Sequence, residues 1–316
     1  MNIQPLFLQP VFQERIWGGT ALRDRFPYDI PSDKTGECWA ISAHPNGMCV
    51  VLNGPHQGKT LADLWENNKE LFDHHQSEKF PLLTKILDAN DDLSVQVHPN
   101  DEYAHKHENG EYGKTECWYI IDCDEDAELV FGHNAKSKAE VEEMIMGGKW
   151  SDFLRKVKIK PGDFFYVPSG TIHALCQGTL VLETQQSSDT TYRVYDYDRV
   201  DDQGKKRDLH LKKAIDVTTA PHVDTNPTIT VQKNGDATIT TYVTNEFFSV
   251  YKWEISGTAT FEQDQAFLLV SVLAGTGTLE KDGQSFALKK GDHFILPAQF
   301  GTYKLTGSLE VMVSHP

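Results

Sequence analysis

Short runs in which apolar and polar residues alternate occur along most of this chain, and Gly, Pro, Asn and Asp separate them. Alternation with a period of two residues is typical of β-strands that bury one face. Helical periodicity is confined to residues 60–72, 137–157 and 205–215. The pattern therefore predicts a mainly β protein with a few short helices.

Two of the helical stretches carry local signals of their own. Thr60 suits an N-cap for the first stretch. Gly147-Gly148 divides the second stretch into two short helices, and both lie in a predicted small helical insertion near residues 135–157. The third stretch is rich in charged residues and predicts one further short helix.

A nine-residue segment occurs twice in the chain. Residues 160–168 (KPGDFFYVP) recur 129 residues later as residues 289–297 (KKGDHFILP), and a strand-rich segment precedes each copy. Internal repetition of this kind predicts two β-barrels of the same design. We expect a first domain over residues 1–220, which includes the helical insertion, and a second domain over residues 221–316.

Charge narrows the range of partners. The chain has 316 residues, a formal net charge of -16 and a pI near 5.2. Such a balance argues against a nucleic acid or an anionic membrane as the main partner, because both would repel the protein. An anionic small molecule would need local positive charge. The sequence has no apolar run of membrane-spanning length and no amino-terminal signal pattern, so we expect a cytoplasmic protein.

Polar side chains share one face of a predicted strand near the middle of the chain. Ser94, Gln96 and His98 alternate with two valines, so all three face the same side. In a second strand, Lys114 and Glu116 share a face among apolar neighbours. A buried carboxylate beside a lysine is explained by a metal ion with an anionic substrate.

A fourth candidate ligand, His173, follows the turn after the first copy of the repeat. Two imidazoles, one carboxylate and one amide suit zinc with a position left for substrate, which selects Gln96, His98, Glu116 and His173. The matching position in the second copy is Thr302. We therefore expect the second barrel to lack a metal.

The order of the motifs resembles that of type I mannose-6-phosphate isomerases in their short bacterial form, which belong to the cupin superfamily. The matching segments are residues 17–19 (WGG), 36–39 (GECW), 96–100 (QVHPN), 114–118 (KTECW) and 183–193 (ETQQSSDTTYR). The resemblance covers nearly the whole chain. It implies a mainly β fold of two cupin-like jelly-roll barrels with short helical insertions.

The resemblance also implies a function and a set of site residues. The reaction would be the zinc-dependent interconversion of mannose 6-phosphate and fructose 6-phosphate, with a small sugar phosphate as partner and one zinc ion per chain. The family's metal ligands correspond to Gln96, His98, Glu116 and His173, its catalytic residues to Arg193, Glu183 and Lys114, and its substrate contacts to Ser94 and Lys85.

Interconverting an aldose and a ketose moves one proton between adjacent carbons through an enediol. The chemistry needs a proton carrier and positive charge beside the enediolate oxygens. Glu183 is the first candidate for the carrier, since burial would raise its pKa; alternatively, it orients Arg193 or Lys114 as an ion-pair partner. Arg193 could stabilise the enediolate or bind the phosphate.

Two other functions fit parts of the pattern. Two histidines and a glutamate also resemble the iron site of a metal-dependent cupin oxygenase, and a barrel could bind carbohydrate without turnover. Gln96 as a further ligand, together with the cationic residues, argues against the oxygenase. A paired Glu183 and Arg193 would have little use in a non-catalytic protein. The sequence does not fix the oligomeric state.

Overall fold

The computed structural model describes residues 3–201 and 203–316, and strands dominate these residues. The helices are α1 (Ala21–Asp24), α2 (Leu61–Asn67), α3 (Asp101–His107), α4 (Lys138–Met146), α5 (Trp150–Phe153) and α6 (Leu211–Val217), with 3₁₀ turns at Gly54–His56 and Lys69–Phe72. The strands of the first part are β1 (Leu6–Gln9), β2 (Val11–Gly19), β3 (Thr35–Ile41), β4 (Val50–Val51), β5 (Leu82–Ala89), β6 (Val95–Val97), β7 (Glu116–Cys123), β8 (Glu128–His133), β9 (Leu154–Lys158), β10 (Phe164–Val167), β11 (His173–Leu175), β12 (Thr179–Gln186) and β13 (Tyr192–Tyr195). Those that follow are β14 (Thr230–Asn234), β15 (Ala237–Thr244), β16 (Ser249–Gln263), β17 (Leu268–Lys281), β18 (Gln284–Lys289), β19 (His293–Leu296) and β20 (Gly301–His315).

In the residues that the structure describes, the strands form three antiparallel sheets. A six-stranded sheet has the order β10-β7-β12-β5-β3-β2, and a five-stranded sheet has the order β13-β6-β11-β8-β9. Leu87, Ile120 and Val181 of the former pack in one buried cluster with Leu129 and Leu175 of the latter. The two sheets therefore face each other and share an interior, as two half-buried sheets must.

A nine-stranded sheet holds most of the remaining chain, in the order β14-β15-β16-β20-β17-β19-β1-β4 with β18 beside β17. Its long strands β16 and β20 pair along their whole length, and Gly257 lies opposite Gly307. Gly307 also pairs with Gly277 of β17, and a Cβ atom at Gly307 would lie 2.5 Å from Thr276 O of that strand, so only glycine allows β20 and β17 to approach so closely there. The early strands β1 and β4 complete this sheet, and the division at residue 220 stays a prediction.

The two copies of the repeat fold alike. Each forms a tight turn followed by a short strand, β10 in the first copy and β19 in the second. Gly162 and Gly291 have φ angles of 90° and 88°, a left-handed conformation that favours glycine. Asp163 and Asp292 each accept a hydrogen bond from the backbone N–H three residues earlier, at 3.0 and 2.8 Å. The local structure of the repeat is therefore the same in both halves.

The predicted helices form, with two corrections. Thr60 caps α2 in a capping box with Asp63, and the paired glycines separate α4 from α5. Residues 154–157 were predicted as helix, but they belong to β9, because pairing with β8 satisfies their backbone. The third helix, predicted from residue 205, begins only at Leu211. The preceding residues are held in an ion-paired loop instead, where Arg207 binds Asp196.

No helix in the described part of the chain is long and apolar enough to cross a membrane.

Candidate active site

The predicted site residues converge in the space between the six-stranded and five-stranded sheets. Their side chains come from the facing strands β5, β7 and β12 on one side and β6, β11 and β13 on the other, with His98 just after β6 and Lys114 just before β7. Gln96 pairs with His173 on one neighbouring strand and with Arg193 on the other. Glu183 lies opposite Lys85. Register thus brings together residues that are far apart in sequence.

Three of the four predicted ligands form a compact buried cluster. The Nε2 atoms of His98 and His173 lie 3.1 Å apart. They lie 3.4 and 3.3 Å, respectively, from the two carboxylate oxygens of Glu116. All three side chains are buried. Within the described residues, this is where histidine and carboxylate ligand atoms gather closely enough to hold a metal.

Backbone carbonyls orient both imidazoles. His98 Nδ1 donates to Thr190 O, and His173 Nδ1 donates to Thr171 O, each at 2.9 Å. These bonds fix the tautomer that leaves a lone pair on Nε2, as in many metal sites. Burial, with Lys114 nearby, lowers the pKa of His98 to about 3, and burial also lowers the pKa of His173. Both rings are therefore neutral electron-pair donors at neutral pH.

The cluster fits a divalent metal. Lys114 Nζ lies 2.7 Å from Glu116 Oε2, yet neither oxygen of Glu116 has a hydrogen-bond partner of good geometry in the described structure. Ligand atoms about 2.0–2.2 Å from a tetrahedral ion would lie about 3.3–3.6 Å from each other, close to the spacing here. Gln96 Nε2 lies 3.3 Å from His173 Nε2, and a half-turn of the amide places Gln96 Oε1 there instead.

A row of alternating charges leads away from the cluster along the six-stranded sheet. Lys114 Nζ lies beside Glu116 and 3.9 Å from Glu183 Oε1. Lys85 Nζ lies 3.9 Å from the same Glu183 oxygen and 3.8 Å from Glu37 Oε2. All five side chains are buried. Each cation in the row therefore has a carboxylate on both sides.

Burial and the neighbouring charges shift the pKa values of Glu183 and Lys114. Burial and the charge of Glu116 raise the pKa of Glu183, although Lys114 and Lys85 oppose them. Trp118 Nε1 donates a hydrogen bond of 2.9 Å to Glu183 Oε2. Burial disfavours the charge on Lys114, but the attraction of Glu116 and Glu183 is larger and raises the pKa of Lys114. The lysine stays charged, and the Glu183 carboxyl holds a proton more readily than an exposed glutamate does.

Arg193 lies at the outer side of the same cavity. Its Nε donates to Ser94 Oγ at 3.3 Å, and its Nη1 donates to Asp208 O at 2.9 Å. Burial lowers the pKa of Arg193, and the nearby positive charge of Arg207 lowers it further. The predicted substrate contacts Ser94 and Lys85 both line this cavity, whose volume is about 330 Å³. The structure thus brings every predicted site residue to one place.

Several lining residues had not been predicted. Arg15 pairs with Glu37 at 2.8 Å, and Asp189 and Arg207 also face the cavity. Glu37 could have been found, because a glutamate stands within the otherwise uncharged strand β3. Arg207 gave no such signal, since it lies in a loop with many other charges.

Comparison with known proteins places the chain in a family. The family model described as phosphomannose isomerase type I, catalytic domain, matches residues 6–137, and that of the mannose-6-phosphate isomerase cupin domain matches residues 238–316. The probable mannose-6-phosphate isomerase GmuF of Bacillus subtilis is 60% identical over 312 residues, which are 99% of each chain. The chain belongs to the type I mannose-6-phosphate isomerase family.

Solved structures agree with this assignment. The crystal structure of the mannose 6-phosphate isomerase from Bacillus subtilis superposes with a TM-score of 0.97 at 57% identity and covers 99% of both chains. A zinc-bound mannose 6-phosphate isomerase shares the fold, with a TM-score of 0.79 at 15% identity over 98% of this chain and 99% of that one. The predictions of a mannose-6-phosphate isomerase and of a mainly β cupin fold are confirmed.

Proposed function

We propose that this family member interconverts mannose 6-phosphate and fructose 6-phosphate through an enediol, with one zinc ion held by Gln96, His98, Glu116 and His173. The observation that carries the proposal is the convergence of His98, Glu116 and His173 beside a cavity lined with cationic residues. The zinc-bound relative supports zinc as the metal. A bound zinc ion would stabilise negative charge on the substrate oxygens.

We assign the transfer of the proton between the two sugar carbons to residues of the protein. Glu183 is our candidate for the group that carries it between the two carbons, because burial raises its pKa and it lies in the cavity. Lys114, charged and fixed between Glu116 and Glu183, supplies positive charge for the enediolate without reorganisation. Lys85 and Ser94 would contact the sugar.

The names of the relatives favour the isomerase over an oxygenase or a binding protein without turnover. The structure adds an argument from charge. Four buried ionisable side chains lie beside the candidate metal site, namely Lys85, Lys114, Glu183 and Glu37, and burying such groups is costly unless they act on a substrate or on each other. Proton transfer in a polar substrate uses such groups directly.

A coupled assay tests the proposal. Purified protein is expected to convert mannose 6-phosphate to fructose 6-phosphate, to lose turnover after treatment with a chelator, and to regain it on addition of zinc. Elemental analysis is expected to find about one zinc per chain, because one ligand cluster is present in the described residues. Full activity in metal-free protein would refute the metal dependence, and two equivalents would refute the single site.

Arg193→Lys is expected to lower kcat/KM by about 10- to 100-fold, because lysine keeps the charge but loses the planar fork that contacts Ser94 and Asp208. Steady-state kinetics separates two roles. A higher KM with unchanged kcat would assign Arg193 to the phosphate, and a lower kcat would assign it to the enediolate. Normal kinetics in Arg193→Ala would contradict both, provided that metal content and circular dichroism match the wild type.

A further inference from the structure

Positive charge in the cavity is unevenly neutralised. The inner lysines, Lys85 and Lys114, each lie between two carboxylates. Arg193, at the outer side, has no ion pair within residues 3–201 and 203–316, because its guanidinium is bound to the Ser94 hydroxyl and the Asp208 carbonyl. The outer side is therefore the place where an anionic group of a substrate finds a guanidinium that no carboxylate contacts in the described structure.

A second guanidinium, that of Arg207, faces the cavity beside Arg193. Its Nε and Nη2 donate to the two oxygens of Asp196, at 2.8 and 2.5 Å. Asp196 is buried and also accepts a hydrogen bond of 2.7 Å from Arg199 Nη2. A buried carboxylate that holds one edge of a planar guanidinium fixes the direction of the opposite edge.

Each of the two guanidinium groups retains an unused donor. In the described structure, Arg193 Nη2 and Arg207 Nη1 take part in no hydrogen bond, although both residues line the cavity. The two segments are also tied together, since Arg193 Nη1 donates to the carbonyl of Asp208, which follows Arg207. Two like charges held close together in a partly desolvated place are unfavourable unless an anion lies between them.

We propose that Arg207, held by Asp196, binds the phosphate group of the sugar phosphate together with Arg193. Arg207 is then a substrate-binding residue, and Asp196 is a positioning residue that acts through it. The inference rests on the proposed function for its substrate and adds a phosphate site to it. A phosphate dianion has several acceptor oxygens and enough negative charge to balance two guanidinium groups at once, whereas a neutral sugar hydroxyl balances neither charge.

Kinetics of Arg207→Ala tests this assignment. The KM for mannose 6-phosphate is expected to rise by about 10- to 100-fold with kcat little changed, because one charge-assisted contact to a group remote from the reacting carbons is lost. The inhibition constant of inorganic phosphate is expected to rise in parallel. Asp196→Asn is expected to show the same split between KM and kcat, with a smaller rise in KM.

Lys206→Ala is the matched control. Lys206 precedes Arg207 and is ion-paired with Asp198, but it does not line the cavity, so its removal takes one positive charge from the same loop and leaves the proposed contact intact. Its KM and its inhibition by phosphate are expected to match the wild type. A rise equal to that of Arg207→Ala would overturn the proposal, because it would show a diffuse effect of charge.

Different measurements test the phosphate site and the proposed function, so failure of one can be told from failure of the other. If the wild type is active, and Arg207→Ala has the same KM and the same inhibition by phosphate as the wild type, the phosphate site is overturned and the proposed function is not. If the wild type did not convert mannose 6-phosphate, calorimetric titration with inorganic phosphate would still test the phosphate site. The wild type is expected to bind phosphate at least tenfold more tightly than Arg207→Ala does, and equal affinities would overturn the site. If Arg207→Ala does not fold, Arg207→Lys replaces it in both arms, and wild-type values there would overturn the site.

Discussion

Replacing Glu183 by glutamine is expected to lower kcat by about 10²- to 10⁴-fold, the usual contribution of a general base. Glutamine keeps the size of the side chain and can still accept the hydrogen bond from Trp118 Nε1, but it cannot take up the proton. Zinc content and substrate affinity are expected to remain close to those of the wild type, because Glu183 lies 3.9 Å from Lys114 and is not among the proposed ligands. Steady-state kinetics and metal analysis measure both.

Isotope exchange tests directly whether Glu183 carries the proton. In heavy water, the wild type should place deuterium on the sugar carbon to the extent that the carrier exchanges with solvent, and Glu183→Gln should slow exchange together with isomerisation. Asp88→Asn is the matched control, because burial raises the pKa of Asp88 too, but its carboxylate accepts from Ala21 N–H outside the active-site cavity. Near-normal turnover in Glu183→Gln would reduce Glu183 to an orienting residue.

The second large effect is expected from the metal ligands. His98→Ala and His173→Ala each remove one of three atoms that converge within 4.8 Å, so each variant is expected to lose most of its zinc and its turnover. Elemental analysis after dialysis measures the loss of zinc, and the coupled assay measures the loss of turnover in the same samples. Retention of metal in both variants would place the ion elsewhere.

His293 provides the control for this loss. Like His98, it is fully buried, and burial lowers its pKa to about 3. Its ring is bonded to the Tyr28 hydroxyl at 2.6 Å and to the Ser271 hydroxyl at 2.9 Å, in the second copy of the repeat. His293→Gln is expected to retain zinc and turnover. Loss of metal from His293→Gln would show that metal loss follows from disturbing a buried histidine and does not identify a ligand.

Local features of the sequence predicted the elements well where a short-range signal exists. The N-cap at Thr60 and the shared turn of the repeat, at Gly162 and Gly291, depend on contacts within four residues, so their outcome does not depend on the rest of the fold. The prediction of helix at residues 154–157 was wrong, because strand pairing with β8 is a long-range contact that outweighs weak local propensity.

The candidate ligands could be found from sequence because strand alternation decides which side chains share a face. Their convergence could not be derived that way. His98 and His173 are 75 residues apart and meet only because β11 pairs with β6. Arg207 was missed for the same reason, since it belongs to no local pattern that points to the cavity.

The sequence by itself determined the strand period, the repeat and the residue types at the site, because these depend on the order of neighbours along the chain. The tertiary structure decided which charges meet. Pairing of β12 with β5 and β7 in one sheet places Glu183 between Lys85 and Lys114, and a folded loop places Arg207 against Asp196. Distances of a few ångströms and the removal of water set these interactions and the pKa values, and both arise only when strands distant in sequence pair and the sheets pack together.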